Sequence, residues 1–132
     1  MTAVPAVLPA YDCWTLLETE DIARIAWGGP DGVSVVPVSY TITDGALWFR
    51  TQPASALGRQ CAGGRVVVEV DHVDRDAHTA WSVLVAGTAE PVDVADVPDD
   101  VMQMRVWPVG SPGMFVRVEP AEVSGRRLSA AT

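Results

Sequence analysis

With 132 residues and a net charge of -8, this chain suits one domain and carries no basic run to neutralise a phosphate backbone, which excludes the usual nucleic-acid binders. All nine basic residues are arginine, so lysine Schiff-base chemistry is excluded as well. Hydrophobic residues make up 48% and charged residues 20%, enough for a core and too little charge for a disordered chain.

The N-terminal segment MTAVPAVLPAY lacks the positive start and long apolar stretch of a secretory signal. Cys13 and Cys61, far apart and outside any CxxC, read as reduced, half-buried thiols. No apolar run approaches the roughly 20 residues of a membrane-spanning helix. The expectation is a soluble, cytoplasmic protein with one domain over residues 1–132 and no membrane partner.

Residues 1–10, with two prolines and no periodicity, read as an irregular arm. Asp12 is placed to cap a short helix over Cys13 to Leu17. Ile22 to Trp27 is a short apolar strand closed by GGPDG, and Val33 to Thr43 alternates, with Val36, Val38, Tyr40 and Ile42 on one face. Asp44-Gly45 marks a tight hairpin, and Ala46 to Gln52 returns with Leu47 and Phe49 toward the core. A short helix is expected around Ser55 to Cys61. Arg65 to Asp71 resumes the strand pattern, with Val66, Val68 and Val70 on one side, and residues 71–78 read as a polar loop.

Trp81 to Val92 is a long strand whose Gly87 suggests a bulge or a close approach. Asp96 and Pro98 open a helix that holds Val101 and Met104 and stops before Pro108. Met114 to Val118 is the last clear strand, followed by an extended tail over Glu122 to Leu128. Six strand segments joined mostly by short turns imply a mostly β fold, a closed or nearly closed antiparallel barrel with two or three short peripheral helices. Trp14, Trp48 and Trp81 fit core or dimer-interface positions.

Searches for catalytic motifs find nothing to build on. His72, Asp74, Asp76 and His78 are metal-ligating types, but their spacing matches no ligand motif, and a solvated acidic loop without metal is the better reading. No GxSxG, P-loop or GxGxxG occurs.

The order of segments is more informative. PVSY (Pro37 to Tyr40) precedes the DG hairpin and LWFRTQ (Leu47 to Gln52), then ASALGRQ (Ala54 to Gln60), VVVEVD (Val66 to Asp71), AWSVLVAGTAEPV and a terminal VSGRRL. From about Ile22 to Leu128 the sequence resembles the pyridoxamine 5′-phosphate oxidase-like family of FMN-binding split barrels. The resemblance implies a six-stranded antiparallel split β-barrel, a homodimer, and FMN in a groove between two subunits.

It implies further that the flavin phosphate lies near Arg50, Thr51 and Ser55, where an arginine fork, two hydroxyls and a helix N-terminus suit a phosphate. Ala56 and Leu57 stand where the family usually has a basic residue. Arg59, one turn on, is the candidate substitute. Val36, Pro37, Val38 and Ser39 would present backbone groups and the Ser39 hydroxyl to the flavin ring. Trp107 would line the pocket from the partner subunit, and Arg126 and Arg127 would reach the same groove. The activity implied is that of a flavin-dependent oxidoreductase acting on an unidentified small molecule. A deazaflavin-dependent reductase and a non-catalytic module holding flavin or haem stay open beside it.

Overall fold

The computed structural model describes residues 3–104 and 113–130. Among the described residues seven strands form one antiparallel sheet: β1 (Ala3–Val7), β2 (Ile22–Gly29), β3 (Gly32–Thr43), β4 (Ala46–Thr51), β5 (Arg65–Asp74), β6 (Thr79–Val92) and β7 (Met114–Ala130). Their order is β1-β7-β4-β3-β2-β5-β6, and a further β7–β6 pairing bends the sheet into a ring from which only β1 is left out. The helices α1 (Ala10–Leu17), α2 (Ala56–Gln60) and α3 (Asp99–Met102) lie in the connections. The expected split barrel is present, with a seventh strand added to its edge.

Alternation along each strand decides what lines the ring. Ala23 and Ile25, Val38 and Tyr40, Leu47 and Phe49, and Val66, Val68 and Val70 all turn inward. Trp81, Val83, Val85, Val116 and Val118 complete the same buried core, and Leu17 and Cys13 of α1 plug it. The Tyr40 hydroxyl donates to the Leu17 carbonyl, tying the plug to the wall. Burial, then the Glu20 and Asp21 carboxylates, raise that hydroxyl well above the ordinary tyrosine range. A second, smaller core lies on the outer side of β4, where Ala46, Trp48 and Phe115 meet Val97 and Val101. The Thr43 hydroxyl donates to the Asp100 carboxylate at 2.5 Å, fastening α3 over it.

Turn chemistry follows the sequence closely. Asp44 and Gly45 both take positive φ, 53° and 71°, as a two-residue hairpin turn of this kind requires. Gly87 sits where the β6–β7 register slips, and a Cβ there would lie 2.1 Å from the Glu119 carbonyl oxygen. The slip inverts facing along β7: Val116 and Val118 point inward before it, whereas Arg126, directly across from Ser82, is on the outer face after it.

Five expectations need correction. The arm over residues 1–10 contains β1, which pairs antiparallel with Arg126 to Ala130. Helix α1 begins at Ala10 with Pro9 as its cap, so Asp12 lies inside the first turn, where its charge faces the positive helix end. The polar loop over 71–78 is mostly strand: β5 runs to Asp74 and β6 starts at Thr79. Its short turn is held by the Ala77 N–H donating to the Asp74 carboxylate at 3.0 Å. The tail from Glu122 is continuous with Met114 in one 17-residue strand. For the three strand segments the reason is cross-strand pairing, which recruits any extended segment within reach and needs no apolar alternation of its own. The helix opened by Asp96 and Pro98 is a single 3-10 turn over Val94–Asp96 followed by α3, which ends at Met102. Its expected stop before Pro108 lies outside the described residues.

Candidate functional site

The barrel splits between β3 and β4. These strands pair only where Tyr40 to Thr43 face Ala46 to Phe49, whereas β3 continues back to Gly32 with β2 alone on its other edge. The Tyr40 N–H donates to the Asp21 carbonyl at 3.1 Å, so the even-numbered residues of β3 bond toward β2. In an antiparallel ladder the intervening residues then aim their backbone groups the opposite way. No described strand pairs with the edge carrying Val33, Val35 and Pro37. Proline is at home there, because it has no N–H to leave unpaired.

The side chains of this stretch divide by parity. Val36 and Val38 turn into the core and leave only backbone at the split, while Pro37 and Ser39 point to the outer face. Ser39 is buried at its position directly across from Ile22.

At the far side of the split, β4 ends in Arg50 and Thr51, which leave opposite faces. The Arg50 guanidinium lies 4.5 Å from the centroid of the Phe115 ring on the outer face. Thr51 turns to the inner rim, its hydroxyl 3.2 Å from that of Ser55. Ser55 caps α2: its hydroxyl accepts from the Gly58 N–H at 2.9 Å and donates to the Gln52 carbonyl at 2.7 Å. Arg59 reaches back along the helix, and its Nη1 donates to the Ala54 carbonyl at 2.5 Å. Thr51, Ser55 and Arg59 therefore surround one turn, with Arg50 just across the strand from them. Trp107 lies outside the described residues.

This turn is tight because of a residue the sequence reading passed over. A Cβ on Gly58 would sit 2.1 Å from the Gln52 carbonyl oxygen and 2.8 Å from that of Pro53, so only glycine lets α2 fold onto the end of β4. The signal was visible as a glycine in the middle of a five-residue helix, where it is otherwise unfavourable. Phe115, the platform for Arg50, was missed because it comes from the opposite end of the chain.

The donor set suits a phosphate in part. Ser55 already spends its proton on Gln52, and Thr51 and Ser55 share a hydrogen bond, so a bound anion draws on them only after the hydroxyls rotate. The N–H groups of Ala56 and Leu57, in the first helical turn, have no partner within the helix. The remaining N–H groups of Arg59 and the guanidinium of Arg50 supply positive charge. Among the described residues no group of three or more His, Cys, Asp and Glu side chains converges to hold a metal ion. No described helix is long and apolar enough to cross a membrane.

A family profile described as pyridoxamine 5′-phosphate oxidase matches residues 9–127. The chain belongs to that family. An uncharacterized protein of Mycobacterium tuberculosis is 31% identical over 124 residues, covering 87% of this chain and 80% of the relative. Two solved structures are similar throughout. The FAD binding protein of Mycobacterium smegmatis has 28% identity and a TM-score of 0.80, with 95% of this chain and 99% of that one covered. A FAD-binding protein of Mesorhizobium loti has 26% identity and a TM-score of 0.77, with 98% and 100% covered.

Proposed function

We propose that this chain is a flavin-dependent oxidoreductase that holds its flavin at the split between β3 and β4 and works as a homodimer. The observation that carries this reading is an unpaired strand edge beside a hydroxyl and arginine cluster, in a chain of this family. The edge of β3 offers the N–H and C=O groups of Val33 and Val35 and the carbonyl of Pro37. The pyrimidine side of a flavin ring alternates donors and acceptors and suits such an edge. Thr51, Ser55, Arg59 and Arg50 are then the phosphate partners, with Val36, Val38 and Ser39 supporting the ring.

When bound, the flavin supplies the hydride or electron transfer. The chain's own part is to orient the ring, neutralise its phosphate and keep water from one face. The two solved structures described above are FAD-binding proteins, which favours FAD. FMN shares its ring and first phosphate and is the minimal form this site takes. A deazaflavin shares the same outline. The substrate is a small molecule.

The dimer rests on the outer face. Val35, Ala26, Val67 and Ala86 form one row across β3, β2, β5 and β6, with Val33 and Leu84 beside it. Val33 is 77%, Val35 59%, Leu84 43% and Val67 38% exposed, an apolar strip that a second copy would cover. It lies next to the open edge of β3, so each flavin would sit in a groove between subunits.

One observation favours the non-catalytic reading of the same site: Ala56 and Leu57 supply no cation, and Arg59 is partly engaged by Ala54. Titration of the purified protein with FMN and FAD, followed by anaerobic addition of a nicotinamide donor, separates the two. Quenching of flavin fluorescence with bleaching of the bound pigment supports the oxidoreductase. Quenching without bleaching by a nicotinamide donor, although dithionite still reduces the bound flavin, supports a carrier, and no quenching by either flavin removes the flavin reading.

A further inference from the structure

On the outer face, away from the split, a hollow of about 210 Å³ opens between the ends of β5, β6 and β7. Its floor is two cross-strand rows. Asp71, Ser82 and Arg126 form a polar row, because Asp71 faces Ser82 and Ser82 faces Arg126. Val73, Ala80 and Leu128 form an apolar row beside it by the same pairing. Trp81, between Ala80 and Ser82, also borders the hollow.

The charges in this hollow are not equivalent. Asp71 is held by Arg24 at 2.7 Å, and the same guanidinium grips Glu69 at 2.6 Å. Burial, then the hydrogen bond to Asp71, raise the Glu69 carboxyl above its ordinary value in spite of Arg24. The two carboxylates share the one Arg24 guanidinium, so their charge is partly compensated among themselves. Arg126 is different. Among the described residues neither Arg126 nor the Ser82 hydroxyl has a hydrogen-bond or ion-pair partner.

We propose that this hollow is a binding site for a small organic carboxylate with an apolar body. One planar guanidinium beside one hydroxyl matches the two oxygens of a carboxylate, whereas a phosphate dianion would bring a second charge next to Asp71 with no second cation to meet it. The apolar row takes the body of the ligand. A closed cavity of about 150 Å³ accommodates benzene, so this open hollow has room for a single ring with its carboxylate. The charge of -8 on the chain opposes any anion, but screening over about 8 Å at physiological salt confines that effect.

The hollow lies outside the split, with β2 between them. Ser39 on β3 faces Ile22 on β2; Arg24, the next residue on that face of β2, holds Asp71 on β5. That is two strand spacings, roughly 10 Å. The site is defined by the chain alone and does not depend on whether a flavin is bound.

The test is a titration of the full chain with benzoate, read as amide and indole shifts in proton–nitrogen NMR spectra. Benzyl alcohol and benzylammonium serve as neutral and cationic counterparts. The expected result is saturable benzoate binding that shifts Trp81, Ser82 and Arg126 together. Arg126→Ala should weaken it at least tenfold. Arg127→Ala should leave it within twofold, because neighbouring strand residues point to opposite faces. Ser82→Asp, a surface change that spares the core, should abolish binding. Equal binding of benzyl alcohol, preference for benzylammonium, an unaffected Arg126→Ala variant of unchanged melting temperature, or no saturable shift each overturns the proposal.

Discussion

The Arg50 guanidinium stacks over the Phe115 ring, 4.5 Å from its centroid. This contact holds the cation at the split and fixes the stem of the side chain against β7. If Arg50 binds the flavin phosphate, Arg50→Ala loses a charge-assisted contact of roughly 1.5–3 kcal/mol, or about one to two decades in Kd. Arg75→Ala, an exposed arginine in the β5–β6 turn, should leave flavin affinity unchanged. Thermal melting of both variants separates lost packing on Phe115 from lost affinity. Equal Kd for wild type and both variants would remove Arg50 from the site.

Ser55 has two separable duties. Ser55→Ala removes the cap on Gly58 and should cost about 1 kcal/mol, a drop of a few degrees in Tm. Ser55→Asp keeps a capping oxygen but sets a negative charge beside the proposed phosphate. Stability near wild type with flavin binding lost is the expected pair of results. Undiminished FMN binding by Ser55→Asp would place the phosphate elsewhere.

Gly58→Ala tests the geometry of the turn and not its charge. Its Cβ would sit 2.1 Å from the Gln52 oxygen, so backbone must move. Overpacking of this kind typically costs roughly 1–3 kcal/mol. The variant should melt lower and lose flavin affinity even though no donor was removed.

The apolar strip predicts its own disruption. Light scattering on the wild type should give twice the monomer mass of 14.0 kDa. Val67→Glu puts a charge into the centre of the strip at a half-exposed position, and should give a folded monomer. A wild type that is monomeric at micromolar concentration would remove the dimer and the shared groove together.

Stability should also fall in alkali through Cys61. Burial pushes this thiol from its ordinary 9.0 up to about 11. The native state therefore holds its proton where the unfolded state releases it. The contribution is intact below pH 9 and is lost as pH rises toward 11, amounting to about 2 kcal/mol at pH 11. Chemical denaturation at pH 8 and pH 11 should show a difference that Cys61→Ala reduces, the remainder belonging to the raised Tyr40 and Cys13.

The core faces of β3, β4 and β5 were legible in the sequence, because apolar alternation of period two is a local pattern and burial follows from it. Val36, Val38, Tyr40 and Ile42 on β3, and Val66, Val68 and Val70 on β5, all lie where their spacing puts them. The same holds for the Asp44-Gly45 turn and the Gly87 bulge, since positive φ and close approach select residue types directly. Three things were decided only by the tertiary structure. β1 became a strand because β7 lay beside it, although its own residues have no alternation to speak of. Arg50 met Phe115, and Ser82 met Arg126, across sequence separations that no window spans. The open edge of β3 exists because β4 diverges after Phe49. An unpaired edge reflects where the neighbouring strand goes, so the strand's own residues cannot announce it.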